Sequence, residues 1–147
     1  MKTNSKSVST KYTPECINSL RKHEIFVFGS NRLGKHIGGA ARIAKDKFGA
    51  QEGISQGLTG QTYAIPTLDE NFQKVRETEL LFSFVRFLKF VKDDPTHEYL
   101  LTKVGCGIAG WDLKRVVYIF RMALKRSLGN ELPENLSIPR EFELKEE

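Results

Sequence analysis

The chain has 147 residues, 39% hydrophobic and 28% charged, a composition typical of one globular domain. Its 23 Lys and Arg outnumber its 18 Asp and Glu, and the net charge of +5 favours anionic partners. Two cysteines exclude a disulfide framework, no apolar run approaches the roughly 20 residues of a membrane span, and residues 1–7 lack the apolar core of a signal peptide. We therefore expect a cytoplasmic protein with free thiols.

The N-terminal half predicts a tail, a helix, a strand and a second helix. Ser, Thr and Lys dominate residues 1–12, which we predict to be a flexible tail preceding a single domain at 13–140. Thr13 followed by Pro14 is typical of a helix start and predicts a short helix. The apolar run at 25–28 predicts a strand buried on both faces. Small residues then predict a closely packed helix at 39–48.

The C-terminal half continues the alternation of strands and helices. Strands are predicted at 62–65, where Pro66 ends the strand, at 98–104 and at 135–138. Amphipathic helices are predicted at 76–92 and at 112–128, with Gly129 as the C-cap, and a charged tail follows at 141–147. The order predicts an α/β three-layer sandwich with a mixed, mainly parallel central sheet. Residues 56–61 form either a lid or a connector.

Two glycine-rich loops, at 29–39 and 105–110, each follow an apolar strand and lead into a helix. Glycine lets backbone N–H groups approach a ligand, and a helix N-terminus supplies free donors and a positive dipole. Both loops are expected at the carboxyl ends of strands, where such folds bind ligands. We therefore predict one phosphate-bearing ligand between them, although the glycines of the first loop could serve a tight turn alone. The first loop lacks the Gly-Lys-Ser/Thr of a P-loop and the G-x-G-x-x-G frame of a dinucleotide fingerprint.

The predicted ligand-binding residues come from these two loops. They are Gly29, Ser30, Asn31, Gly38, Gly39, Ala40, Gly105, Cys106, Gly107, Ile108, Ala109, Gly110 and Trp111. Trp111 could stack on a ribose or base, or anchor the core. Cys106 could be a nucleophile activated by a helix N-terminus, or a small apolar residue. No His and Cys cluster has metal-ligand spacing, so no metal site is predicted.

The candidate catalytic residues are Asn31, His36 and Asp112. The Asn31 amide could bind a ribose hydroxyl or orient a water, or the residue could occupy a left-handed turn position. His36 is a candidate general base, and Arg32 and Lys35 could bind phosphate or face water. Asp112 could assist proton transfer or could only begin a helix.

Aromatic and basic residues also alternate at 86–90, a pattern that single-stranded nucleic-acid surfaces use. Because these residues fall within a predicted amphipathic helix, core packing explains them better. A basic surface that binds nucleic acid or a protein partner is therefore the alternative function.

The two loops resemble those of macro domains, which bind ADP-ribose. Residues 27–31 and 38–42 resemble the first ligand loop of that family, and residues 107–111 are similar to its diphosphate loop. Residues 63–67 lie where the family has a central strand, and the order agrees across roughly residues 24–128. The same segments also resemble a group of bacterial and phage proteins with a macro-like fold.

The resemblance implies that the chain binds ADP-ribose or a related nucleotide without a cofactor. By this resemblance, Asn31 contacts the distal ribose, the loop glycines hold the diphosphate, and Trp111 flanks the distal ribose. Hydrolysis of a bond at the distal ribose is a candidate activity. The chain departs from the family pattern at Phe28, where the family has asparagine, and at Ala109, where it has an aromatic residue.

Overall fold

A six-stranded sheet lies at the centre of the structure, a computed structural model that describes residues 10–143. Its strands are β1 (Lys11–Tyr12), β2 (Glu24–Asn31), β3 (Gly57–Thr59), β4 (Thr62–Leu68), β5 (Glu98–Leu101) and β6 (Leu136–Ile138). Its helices are α1 (Gly39–Phe48), α2 (Glu77–Lys92) and α3 (Leu113–Leu128). The strand order is β1-β6-β5-β2-β4-β3, and of these strands only β3 runs antiparallel to its neighbour. The predicted α/β fold with a mixed, mainly parallel sheet is confirmed.

Strand β2 explains why the sheet is covered on both faces. Ile25 and Val27 belong to the large core formed with α2 and α3, whereas Phe26 and Phe28 belong to the smaller core formed with α1. All four side chains are almost completely buried. The apolar run therefore forms a central strand between two helical layers, an arrangement consistent with a three-layer sandwich.

The three helices of the sheet layers lie close to where the sequence predicts them. The bounds of α1 match the prediction, and its small residues Ala41 and Ala44 are buried against the sheet. Helix α2 begins one residue after the predicted start. Helix α3 begins after Asp112, whose side chain accepts a hydrogen bond from the Arg115 N–H, and ends at Gly129.

The short helix predicted to start at Thr13 is wrong. Residues 13–20 are irregular, and the Thr13 N–H donates to the Ile138 carbonyl at 2.8 Å. The Thr13 hydroxyl also donates to the Leu101 carbonyl at 2.7 Å. These bonds hold the residue in an extended path along the sheet, so its side chain does not cap a helix. Ile17 and Leu20 pack against the smaller core from this irregular segment.

Two predicted strand ends are also wrong. Strand β4 continues through Pro66, which is paired with Ser30 of β2, whereas its pairing with β3 ends at Ala64. No β3 residue lies opposite Pro66, so the missing N–H is tolerated on that side. Strand β5 ends at Leu101, three residues early. The next residue, Thr102, directs both its N–H and its hydroxyl to the Val27 carbonyl, and the chain then turns into the second loop.

The described fold extends past both predicted domain limits. Lys11–Tyr12 form an edge strand beside β6, which the sequence did not reveal because two residues carry no periodicity. Phe142, within the predicted charged tail, is fully buried in a 3₁₀ helix at Arg140–Phe142. Residues 1–9 and 144–147 of the two predicted tails lie outside the described residues. Across residues 10–143, none of the helices has the length and apolar character to cross a membrane.

Candidate functional site

The two glycine loops leave adjacent parallel strands at the same edge of the sheet. We call residues 32–38, after β2, the first loop, and residues 102–112, after β5, the second loop. A Cβ built on Gly29, at the end of β2, would lie 3.0 Å from the Gly105 nitrogen of the second loop. A Cβ built on Gly38 would lie 3.0 Å from the Ile108 Cδ1. The two loops are therefore in close contact. The contact at Gly29 is with backbone and depends on glycine, whereas the exposed Ile108 side chain can shift away from a Cβ at Gly38.

A cleft of about 1160 Å³ opens where the loops meet, a volume large enough for a nucleotide-sized ligand. The predicted binding residues that line it are Gly29, Asn31, Gly38, Gly39, Ala40, Gly105, Cys106, Gly107, Ile108 and Ala109. The other predicted site residues, Ser30, His36, Gly110, Trp111 and Asp112, are not among its lining residues. The sequence thus located the cleft but not every side chain in it.

The N-terminus of α1 presents free donors to this cleft. Its N-cap, Gly38, makes no side-chain cap, and the first turn contains no acidic residue. Within residues 10–143, the N–H groups of Gly38, Gly39, Ala40 and Ala41 donate to no protein group. The three residues 107–109 of the second loop also have N–H groups without a partner in the described chain. All of these residues line the same cleft, so its lining contains unpaired backbone donors of the kind that bind anions in proteins.

The Asn31 side chain organises the first loop. Its Oδ1 accepts hydrogen bonds from the Leu33 and Lys35 N–H groups, both at 3.1 Å. Its Nδ2 donates to the Lys35 carbonyl at 2.8 Å. Asn31 lines the cleft, but these three bonds hold the loop closed around its amide. The left-handed-turn alternative is wrong, since Asn31 does not have a positive φ. The Nδ2 group donates only one of its two N–H bonds within the described chain, so a contact between Asn31 and a ligand stays a prediction.

His36 is buried behind the first loop. Its ring lies edge-on to Phe28 with centroids 5.2 Å apart, and its Nε2 lies 2.9 Å from the Gln51 carbonyl, to which it donates. Its N–H donates to the Glu52 carboxylate, an interaction that lowers the pKa of Glu52. The His36 Nδ1 has no hydrogen-bond partner among the described residues. His36 therefore packs and ties two loops together, and it is not placed to act as a base in the cleft.

Trp111 anchors the second loop to the sheet. It is buried, and its Nε1–H donates to the Thr67 carbonyl of β4 at 2.9 Å. A Cβ on Gly105 would lie 2.9 Å from the Trp111 Cδ1, so the loop backbone is packed directly on the indole. The core alternative therefore describes Trp111. Thr67, which the sequence did not single out, lines the cleft and also donates from its hydroxyl to the Ser30 carbonyl.

Among the remaining predicted side chains, those of Ser30 and Asp112 do not line the cleft, whereas Cys106 does. The Ser30 hydroxyl donates to the Ser55 carbonyl, and Asp112 is the exposed N-cap of α3. Burial raises the pKa of the Cys106 thiol, with Lys103 opposing that effect, so Cys106 is held as a thiol and is not an activated nucleophile. The stretch 56–61 contains β3 and does not line the cleft, so it is a connector.

Charged and apolar residues that are not in the predicted binding set complete the cleft. Lys35 lines the cleft. Arg32 does not, because its guanidinium pairs with Glu70 and Glu79, and it is therefore not placed to bind a phosphate. The irregular segment at 13–18 forms one wall, and Phe72 from the turn after β4 contributes an aromatic side chain. No local pattern signals these residues, because only the pairing of distant strands brings them here.

Comparison of the chain with protein-family models, with curated proteins and with solved structures found no match. Across residues 10–143, no group of three or more His, Cys, Asp or Glu side chains is arranged to hold a metal ion.

Proposed function

We propose that the chain binds ADP-ribose or a related nucleotide in this cleft, with the diphosphate between the first and second loops. The observation that carries the proposal is the set of unpaired N–H groups on residues of two adjacent loops that line one cleft. The uncapped N-terminus of α1 supplies four of these groups, and residues 107–109 supply three more. The resemblance of both loops to those of macro domains supports the same ligand class.

The proposal is for binding and not for hydrolysis through the three side chains that the sequence suggested. The Asn31 amide is bonded to its own loop, His36 is buried behind that loop, and Asp112 caps α3. A group that activates water must reach the bond that breaks. None of the three side chains is directed to such a position by these bonds.

Calorimetric titration of the full chain with ADP-ribose, ADP and NAD at physiological salt tests the proposal. We expect saturable binding of ADP-ribose. A charge substitution at Ala40, an exposed residue that lines the cleft in the first turn of α1, locates the phosphates. Ala40→Glu places a carboxylate beside the phosphate position, and we expect affinity to fall about tenfold or more. Ala40→Gln is the matched neutral control and should lose much less.

The Ala40→Glu variant also separates binding from folding. A carboxylate in the first turn favours the helix dipole, typically by about 0.3–1 kcal/mol, so we expect its melting temperature to be unchanged or raised. Unchanged ADP-ribose affinity in Ala40→Glu would show that the phosphates do not lie at α1. Salt dependence tests the basic-surface alternative, because binding to a phosphate backbone weakens steeply with salt.

A further inference from the structure

Phe72 has a backbone conformation that a bulky residue rarely adopts. Its φ is 60°, and among the described non-glycine residues only Asn130 shares a positive φ. A bulky side chain in this region is strained, and glycine is the usual occupant of such a turn position. Nevertheless, the Phe72 ring is 43% exposed and lines the cleft. Because the residue is exposed, packing in the core does not account for this strain, which indicates a use at the cleft.

The turn that carries Phe72 is held at both ends. The Asp69 carboxylate accepts hydrogen bonds from the Asn71 N–H at 2.8 Å and from the Gln73 N–H at 3.0 Å. These two bonds lower the pKa of Asp69. Arg32 of the first loop pairs with Glu70 at 2.6 Å and with Glu79 of α2. The turn is therefore closed by its own hydrogen bonds, and an ion pair at the surface links it to the first loop.

The sheet order divides the cleft into two arms on either side of the loops. The first and second loops follow the adjacent strands β2 and β5, so they lie at the middle of the carboxyl edge. Phe72 and Leu68 line the arm on the β4 side. Residues 13–18 and Pro139 line the other arm, beside β6. A ligand with its diphosphate at the loops has room for a group on each side.

We propose that Phe72 is a binding residue for the sugar ring on the far side of the diphosphate from the adenosine. This inference rests on the proposed function. It adds that the arm on the β4 side holds the sugar at the end of the ligand opposite the adenosine. The exposed face of a phenyl ring covers the apolar face of a sugar and excludes water from it. Glycine would relieve the strain of the turn but would leave this arm without an aromatic surface.

The experiment compares two ligands that differ only by the end group. ADP-ribose carries a ribose beyond the diphosphate, and ADP does not. We expect Phe72→Ala to weaken ADP-ribose binding about tenfold and to leave ADP affinity within about twofold. Phe82→Ala is the matched control, because Phe82 is a 56% exposed phenylalanine on α2 that does not line the cleft. We expect it to change neither affinity.

A glycine variant at the same position separates binding from stability. Phe72→Gly also lacks the ring but suits a positive φ, so it should melt about 3 °C above Phe72→Ala while losing the same ADP-ribose affinity. Equal losses of ADP and ADP-ribose affinity, or no loss of either, would overturn the assignment of Phe72. Wild-type chain that binds neither nucleotide would instead overturn the proposed function, and this inference with it.

Discussion

Alanine substitution of two glycines in the second loop, only two positions apart, is expected to have different effects on the stability of the fold. Gly105 has a φ of +80°, and an added Cβ would lie 2.9 Å from the Trp111 Cδ1. Gly107 does not have a positive φ, and an added Cβ would meet nothing within 4 Å. Gly105→Ala and Gly107→Ala therefore form a matched pair in one loop.

The cost of Gly105→Ala follows from strain and from steric conflict. A left-handed conformation costs a non-glycine residue roughly 1–2 kcal/mol, and overpacking a core site costs about 1–3 kcal/mol. Trp111 cannot easily move aside, because it is buried and its Nε1–H is bonded to Thr67. We expect a total loss of about 3 kcal/mol in the free energy of unfolding. For a chain of this length, that loss lowers the melting temperature by about 10 °C.

Gly107→Ala should be close to neutral. Alanine can adopt the backbone conformation of Gly107. It also reduces the conformational entropy of the unfolded chain, which offsets any small cost of reduced backbone solvation in the folded state. Thermal unfolding followed by circular dichroism measures both variants, and urea titration checks the order if heating is irreversible. A Gly105→Ala chain that melts within about 2 °C of wild type would refute the packing of the second loop on Trp111. A large decrease in the melting temperature of Gly107→Ala would refute the conclusion that a Cβ at this position meets open space.

Two further predictions concern the framework around the site. Trp111→Phe keeps most of the packing and removes one of the two donors to the Thr67 carbonyl, which retains the Val75 N–H at 3.1 Å. The loss of one net hydrogen bond is about 1 kcal/mol, so the melting temperature should fall by about 3 °C. At the opposite end of β5, hydrogen bonds from the Tyr99 hydroxyl and His97 lower the pKa of Asp94 in the folded chain. The Asp94 carboxylate therefore stabilises the fold at pH values above its unfolded pKa. This stabilisation is lost as the pH falls through the lower pKa of the folded state. Asp94→Asn should therefore melt below wild type at pH 7, and the difference should disappear on acidification to about pH 2; a difference independent of pH would contradict the assignment.

The parts of the fold that local sequence determines were predictable. The run at 25–28 predicted a strand buried on both faces, and the small residues and terminal glycine of 39–48 predicted α1 with its observed bounds. Both glycine loops were located for the same reason, because a strand followed by glycine and a helix start is a local pattern. Strand pairing then brings the loops together, and a parallel sheet places their carboxyl ends at one edge.

The roles of the polar side chains were not predictable from residue type. Asn31, His36 and Trp111 each have chemistry that suits a ligand, and each is instead bonded to a backbone group of a loop or strand. Those partners lie between four and 44 residues away in sequence, at Lys35, Gln51 and Thr67. A residue's hydrogen-bonding capacity is visible in the sequence, but the group that satisfies it depends on how the loops close.

The wrong helix prediction at Thr13 and the extent of the cleft have the same cause. Helices α2 and α3 cover one face of the sheet, but on the other face α1 packs on β2 and β4 alone among the described helices. The irregular segment at 13–18 passes beside β5 and β6 and forms a wall of the cleft. A helix there would place a cylinder about 10 Å wide over these strands, in the space that the cleft now extends into. The hydrogen bonds from Thr13 to Ile138 and Leu101 hold the start of that segment in an extended path along the sheet, and the part of the cleft beside β6 therefore stays open.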